Sequence, residues 1–280
     1  MRLIDQKALR QLKRNKLAII GIVFIISLFI IALFAPYIAP HDPYQTDFFN
    51  TLQGPSREFL LGTDDLGRDV LSRLIYGARI SLTIGFISVA IGLIVGVPVG
   101  AISGYYGGKI DIITQRFVDI MMAFPGMLLA IIIVAVMGVG LVNAMIAVGV
   151  VSIPTYIRLV RGSVLSLKNK EFVQAAKAIG VRESVIIFKH ILPHCLAPII
   201  VQSSLQIGVA ILWAAGLGFL GLGAQAPTPE WGAILSQGRG YIRTAHHVTT
   251  FPGIAIMLTV LGFNLLGDGL RDALDPKMRN

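Results

Sequence analysis

IMMAFPGMLLAIIIVAVMGVGLVNAMIAVGVVSIPTYI, residues 120–157, holds 38 positions and no charged side chain. As one straight helix it would reach about 57 Å at ~1.5 Å per residue, nearly twice the ~30 Å hydrocarbon core of a bilayer. The stretch therefore reads as a hairpin of two spans. Gly138, Gly140 and Asn143 supply the turn between them.

Four more uncharged apolar runs flank this hairpin, at 17–38, 80–103, 196–223 and 251–267. Each is long enough to cross a bilayer as a helix. The expectation is an all-α, polytopic membrane protein with six transmembrane helices. Composition agrees: 55% of residues are hydrophobic and only 14% are charged, against about 25% charged in a soluble domain. This excludes a disordered chain and argues against a water-soluble globule. The lone cysteine, Cys195, excludes a disulfide framework within the chain. The first run follows Arg2, Lys7, Arg10, Lys13, Arg14 and Lys16, as a signal peptide also would. Its apolar part exceeds the ~7–15 residues of such a peptide, so a retained helix is expected.

The net charge of +9 is explained by membrane topology without invoking nucleic acid. With six spans both termini lie on one side. That side carries 18 of the 24 Lys and Arg residues, while the 15 acidic residues divide almost evenly. Basic residues stay inside, so both termini are expected in the cytoplasm. Outside lie two sizeable loops, about 40–79 and 224–250. Within the first, Leu71, Leu74, Ile75 and Ala78 make one apolar helical stripe, with Asp65 as a plausible N-cap. This helix lies along the membrane interface or over the bundle; the pattern leaves both open. In the second loop, APTPEW (226–231) is stiffened by its prolines. Trp231 suits an interfacial cap, with a gate or a contact for an external protein as the other use of the segment.

Ser88, Gly92, Gly96, Gly100, Gly104 and Gly108 recur every four residues and make a flat strip on the second span. In lipid, such strips bring helix backbones into close contact. Gly216, Gly218 and Gly221 spell G-x-G-x-x-G, but a transmembrane segment precedes them and Pro227 and Pro229 follow. A dinucleotide site needs a strand before and a helix after, so that reading is rejected. The stretch from Gly104 to Lys109 fails as a P-loop in spacing and in having Ile110 where a magnesium ligand belongs. If ATP is used, another chain binds it.

The most informative cytoplasmic segment is NKEFVQAAKAIGVRESVIIFKHILP (169–193). Asn169 is a good N-cap and Glu171 favours the first turn. Phe172, Ala175, Ala176 and Ile179 share one face. Gly180 can end that helix in the left-handed conformation. Ser184 can cap a second helix that carries Val185, Phe188 and Leu192, and Pro193 limits it. Two helices this short need a partner surface. That surface is either the chain's own bundle or the groove of a cytoplasmic protein.

Gln174-Ala175-Ala176, then Gly180, then Ile191-Leu192-Pro193 resembles the EAA loop of ABC importer permeases, although Gln174 stands where members often carry Glu. LGTDDLGRDVLSRLIYGARISL (61–82), FLGLGAQAPTPEWG (219–232) and FNLLGDGLRDALDP (263–276) resemble the dipeptide, oligopeptide and nickel branch of that family. The first helix and long external loop resemble its C-type, second permease subunit. The resemblance implies the type I importer permease fold, here divided into 1–79 (tail, first helix, outer loop) and 80–280 (five-helix core with the coupling loop).

It also implies alternating access in a bacterial or archaeal cytoplasmic membrane. This chain would pair with a second permease subunit above two ABC ATPase subunits that hold ATP and Mg. An extracytoplasmic binding protein would deliver dipeptides or oligopeptides. Glu171, Phe172, Gln174, Ala175, Ala176, Gly180, Ile191, Leu192 and Pro193 would form the ATPase dock. Nickel or another small solute is the close alternative. A stand-alone secondary transporter would need intramembrane carboxylates or an internal repeat, and no convincing example of either is present.

Polar residues inside spans are the candidates for the path: Gln202 and Gln206, one turn apart on span five, and Asn264 on span six. Helix–helix glue is their other reading. Asp111, Arg116 and Asp119 at the edge of span three, and Asp268 and Arg271 after span six, read as interfacial ion pairs or ATPase contacts. His190, His194 and Cys195 are near in sequence, but Pro193 intervenes. His246 and His247 are adjacent and their side chains diverge. No metal site, resident cofactor or catalytic constellation is expected.

Overall fold

Asn15 opens the first long helix by accepting the amide hydrogens of Leu17 (3.1 Å) and Ala18 (3.2 Å) on its side-chain oxygen. In this computed structural model, which describes Leu12 and residues 15–274, that helix is α1, Lys16–Leu33. Arg2, Lys7, Arg10, Lys13, Arg14, Lys277 and Arg279, all among the 18 basic residues of the expected cytoplasmic side, lie outside the described residues. Ala18, Gly21, Ile25, Leu28 and Ala32 form the buried stripe of α1. Gly21 sits so close to Gly262 and Leu265 of the last helix that a Cβ would not fit.

The second helix, α2, runs from Val70 to Tyr106, 37 residues, or about 55 Å. The apolar stripe at 71–78 is its first two turns and not a separate interfacial helix. Its cap is Asp69, which accepts from the Ser72 amide at 2.8 Å, and not Asp65. An uninterrupted helix keeps every main-chain hydrogen bond satisfied as it leaves the bilayer, which a break at residue 80 would forfeit.

The small-residue strip of α2 lies against α5 (Leu141–Leu167). Ser88 donates to the Met145 carbonyl at 3.0 Å. A Cβ on Gly96 would stand 2.6 Å from the Tyr156 Cβ, one on Gly100 2.6 Å from the Ile157 carbonyl oxygen, and one on Gly104 2.9 Å from that of Arg161. Gly92 faces Ser152 and Tyr156 in the same way, while Gly108 has no neighbour and stands off the contact. Close backbone approach of this kind maximises dispersion contacts where lipid supplies no hydrophobic drive.

The third expected span departs from a single helix. It consists of α3 (Gly108–Ala123) and α4 (Gly126–Met137), bent by 93°. Pro125 causes the break, because its ring bars the helical conformation for the residue before it. Phe124 is extended, at φ −88° and ψ 138°. α4 alone is about 18 Å long, too short to cross. Among the described residues five helices are long and apolar enough to span, and the count is six when the bent pair is taken as one crossing. The hairpin turn forms at the expected residues. Gly138 and Gly140 have φ of +93° and +149°, and the Asn143 amide donates to the Met137 and Gly138 carbonyls at 3.0 Å.

The chain continues through α6 (Glu171–Ala178), α7 (Glu183–Phe219), α8 (Trp231–Gly238) and α9 (His247–Leu274). Among the described residues there is no strand, only an isolated bridge between Thr63 and Asp69. The main core gathers α1, α2, α5, α7 and α9 around Tyr156, Ile211, Leu217 and Phe263, with Trp231 and Ile234 of α8 closing one end. At the other end the Asn15 amide donates to Asp272 at 3.2 Å, so the start of α1 and the end of α9 lie together. A second core there joins Ala101, Tyr105, Val160 and Val164 to Val173, Ile186, Ile191 and Cys195.

Candidate functional site

The loop between α5 and α7 is built around Gly180. With φ +74°, it lets its own amide reach the Lys177 carbonyl (3.0 Å) and the Val181 amide reach the Ala176 carbonyl (3.1 Å). These paired bonds close the end of α6 where a residue with a Cβ would be strained. The start of α6 differs from expectation. Lys170, not Asn169, precedes its first turn, and no side chain caps it.

The faces of these helices also differ from the expected ones. Val173 and Ala176 point into the bundle with Ile186, Ile187 and Ile191. Phe172 and Ile179 point outward, 37% and 81% exposed, and so do Val185 and Phe188. Glu171, Gln174 and Ala175 are exposed beside them. Two apolar stripes sit side by side on α6. Only one is consumed by the bundle, so Ala176 separates from Phe172, Ala175 and Ile179. What remains outward are the apolar side chains of Ile179, Val185 and Phe188, with Phe172 half-covered by His194.

The second helix begins at Glu183 after Arg182, so Ser184 lies inside it and does not cap it. Nor does Pro193 end it. A wide π-type turn, Ile186–Ile191, and a tight 3-10 turn, Leu192–Cys195, carry the chain directly into the span. Pro193 lacks an amide hydrogen and would crowd the carbonyl four residues back in a regular helix. The wider turn, with the Leu192 amide on the Ile187 carbonyl, accommodates it. Leu192 and Pro193 are half-buried and Ile191 is buried. α6 is tied to the bundle from two sides. Phe172 stacks on His194 at 5.0 Å, and the Lys177 ammonium lies 5.0 Å above the Tyr105 ring.

Of the three path candidates, Gln202 lines a cavity. This space of about 480 Å³ lies between α5, α7 and α9 at the loop end of the bundle. Gln206, one turn along, is buried in helix packing, and Asn264 is half-buried on α9 away from the cavity wall. Of the edge charges, Asp111 and Asp119 form ion pairs, while among the described residues Arg116, Asp268 and Arg271 do not. Arg161 makes a two-pronged contact with Asp111 at 2.5 and 2.6 Å, to which Ser103 also donates, and Arg158 meets Asp119 at 2.7 Å. His194 turns Nδ1 to the main-chain oxygen of His190 (2.9 Å), not toward its ring. Among the described residues no three potential metal ligands converge.

The opposite end holds a buried ion clamp whose partners lie far apart in sequence. Asp64 accepts from Arg68 Nε at 2.7 Å and faces Arg73 Nη1 at 3.2 Å, all three side chains being buried. Gln237 of α8 accepts from both guanidinium groups, at 3.1 and 2.9 Å. His247 Nε2 bonds the Thr63 carbonyl at 3.0 Å. Together these fasten the outer loop to α2, α8 and α9. Trp231 is buried and donates its indole N–H to the Leu74 carbonyl at 3.0 Å, so it fills the core and is not an interfacial anchor. Glu230 caps α8 through the Gly232 and Ala233 amides at 2.9 and 2.8 Å. Burial pushes its carboxyl above the ordinary range, and those two amides partly offset the rise.

A bundle of long apolar helices with a bent helical handle at one end and a clamped loop at the other defines a polytopic helical membrane protein. Its fold matches that of a solved methionine ABC transporter, MetNI, in inward-facing conformations. The TM-score is 0.59 at 21% identity, over 72% of this chain and 97% of that one. The family described as "Binding-protein-dependent transport system inner membrane component" matches residues 96–280, and the "N-terminal TM domain of oligopeptide transport permease C" matches residues 6–55. The chain belongs to this family of binding-protein-dependent inner-membrane components, and is a multi-pass permease subunit of an ABC importer.

Among its relatives, the dipeptide transport system permease protein DppC of Alkalihalophilus pseudofirmus is 56% identical over 98% of this chain and 90% of that protein. The di/tripeptide transport system permease protein DppC of Pseudomonas aeruginosa is 49% identical, over 95% and 90%. The glutathione transport system permease protein GsiD of Escherichia coli is 48% identical, over 96% and 89%.

Proposed function

We propose that the chain is one half of the membrane path of a peptide importer, driven by ATPase subunits seated on the 169–193 loop. The observation that carries this reading is the outward set of apolar side chains Ile179, Val185 and Phe188, with Phe172 beside them, on a loop packed into the bundle through Val173, Ala176 and Ile191. An apolar strip on a fixed handle is what a groove in a partner can grip. Glu171, Gln174, Ala175 and Gly180 lie on the same exposed surface, while Leu192 and Pro193 join the handle to span five.

In this reading ATP and Mg are bound by two partner ATPase subunits and the chain itself carries no ATPase site or cofactor. Their closure moves the handle and biases the bundle between two packings. A second permease subunit completes the path. An external binding protein delivers substrate to the end clamped by Asp64, Arg68 and Arg73. Residues 1–79 supply the anchor and outer loop, and 80–280 the core. The handle faces the cytoplasm of a bacterial or archaeal cell. Dipeptide, di/tripeptide and glutathione relatives support a peptide substrate. The test is ATP-driven uptake into proteoliposomes of the whole importer, comparing alanylalanine, glutathione and Ni²⁺. Peptide uptake is expected. Uptake of Ni²⁺ alone would replace the substrate, and uptake without ATP would overturn the mechanism.

A further inference from the structure

The cavity between α5, α7 and α9 carries more polar chemistry than helix packing requires. Leu159 and Val201 make its wall apolar, while Gln202, His194 and Arg271 face the same space. Its volume of about 480 Å³ lies within the ~300–1,000 Å³ of small-molecule sites. Among the described residues Arg271 has no ion-pair partner. Of the described acids on α9, Asp272 accepts from Asn15 and Asp268 makes no ion pair with Arg271.

A guanidinium presents parallel N–H groups whose spacing matches a carboxylate. The Gln202 amide adds a donor and an acceptor. His194 is fixed from two sides, by the stack on Phe172 and by the His190 carbonyl. A carbonyl oxygen only accepts, so Nδ1 carries the hydrogen and Nε2 of the neutral ring is left as an acceptor.

We propose that this cavity is a subsite for the carboxylate end of a free peptide leaving the path. Arg271 holds the carboxylate, the Gln202 amide donates beside it, and His194 Nε2 accepts a peptide N–H. This deepens the peptide-import reading and rests on it.

The test is equilibrium binding of radiolabelled alanylalanine to the assembled permease–ATPase complex in nanodiscs, without ATP and without binding protein. The C-terminal amide of alanylalanine is the comparison. A charge-assisted bond is worth ~1.5–3 kcal/mol, so the free acid is expected to bind at least about tenfold more tightly than the amide. Arg271→Ala should abolish that preference and Arg271→Lys should restore part of it. Equal binding of acid and amide would overturn the proposal, as would a preference that survives Arg271→Ala.

Should Arg271→Ala fail to assemble, Gln202→Leu serves instead: it should weaken the acid more than the amide, and an unchanged ratio counts against the site. Uptake by the same complex in proteoliposomes is measured in parallel. Absent peptide uptake overturns the substrate assignment. Uptake without saturable binding means that a partner subunit fills the cavity, and overturns the subsite alone.

Discussion

Gly100→Ala puts the packing of α2 on α5 to a quantitative test. The new Cβ would lie 2.6 Å from the Ile157 carbonyl oxygen and 3.0 Å from its Cα. Ordinary contact begins at 3.4 Å, so the backbones must part locally by about 0.8 Å. A gap of ~0.5–1 Å forfeits a quarter to a half of the dispersion well for atoms facing across it, and the Gly96 and Gly104 contacts share that loss. Overpacking of this kind costs about 1–3 kcal/mol, offset in part by the ~1 kcal/mol better helix propensity of alanine.

Gly162→Ala on α5 is the internal control, because nothing lies within 4 Å of its Cβ; it should be neutral or slightly stabilising. The assay is folded fraction against SDS for the purified permease in mixed micelles. Gly100→Ala should unfold at lower SDS than wild type, with Gly162→Ala at or above it. Equal midpoints for the two variants would refute the close-approach reasoning.

Gly180→Val forces a β-branched residue into φ +74°, at a cost of roughly 1–2 kcal/mol. Membrane insertion should persist while ATP-driven uptake falls; unchanged uptake would reject the handle. Asp64→Ala leaves the Arg68 and Arg73 guanidinium groups buried without their shared carboxylate. Loss of about 3–5 kcal/mol should lower the yield of folded protein, and a hydrophobic triple replacement of all three should recover part of it. Glu230→Ala removes the cap of α8 and should cost about 0.5–2 kcal/mol, read as a lower thermal midpoint. Gln202→Leu should reduce peptide uptake with complex yield unchanged; loss of assembly alone would make Gln202 a packing residue.

Membrane architecture was legible because a bilayer imposes length and charge rules that a single sequence displays. The hairpin at Gly138–Asn143 followed from the impossibility of a 38-residue uncharged span. The positions where the reading failed share a cause: neighbours in space decided between local options of similar energy. Asp65 and Asp69 are equally good caps by type, and only the closure of the outer loop selects Asp69. Pro125 is the exception: it sits inside an apolar run, and its effect on Phe124 is local and legible in the sequence. On α6, two apolar stripes were available and the bundle took the one carrying Val173. By pattern alone Arg68 and Arg73 are only charges of the outer loop 40–79. Their spacing from Asp64 was the available signal, but Gln237, 164 residues beyond Arg73, could not be paired with them by pattern alone.

The central claim is that the handle around residue 179 is gripped by an ATPase on the cytoplasmic side. Ile179→Cys places a reactive thiol on the most exposed apolar position of the handle, while the native Cys195 is buried and shielded. A thiol-anchored photo-crosslinker at position 179 in the assembled importer should join this chain to an ATPase subunit, with a yield that changes on adding ATP. In intact cells the same thiol should resist a membrane-impermeant maleimide. Labelling from outside, or a crosslink that never reaches the ATPase, would contradict the claim.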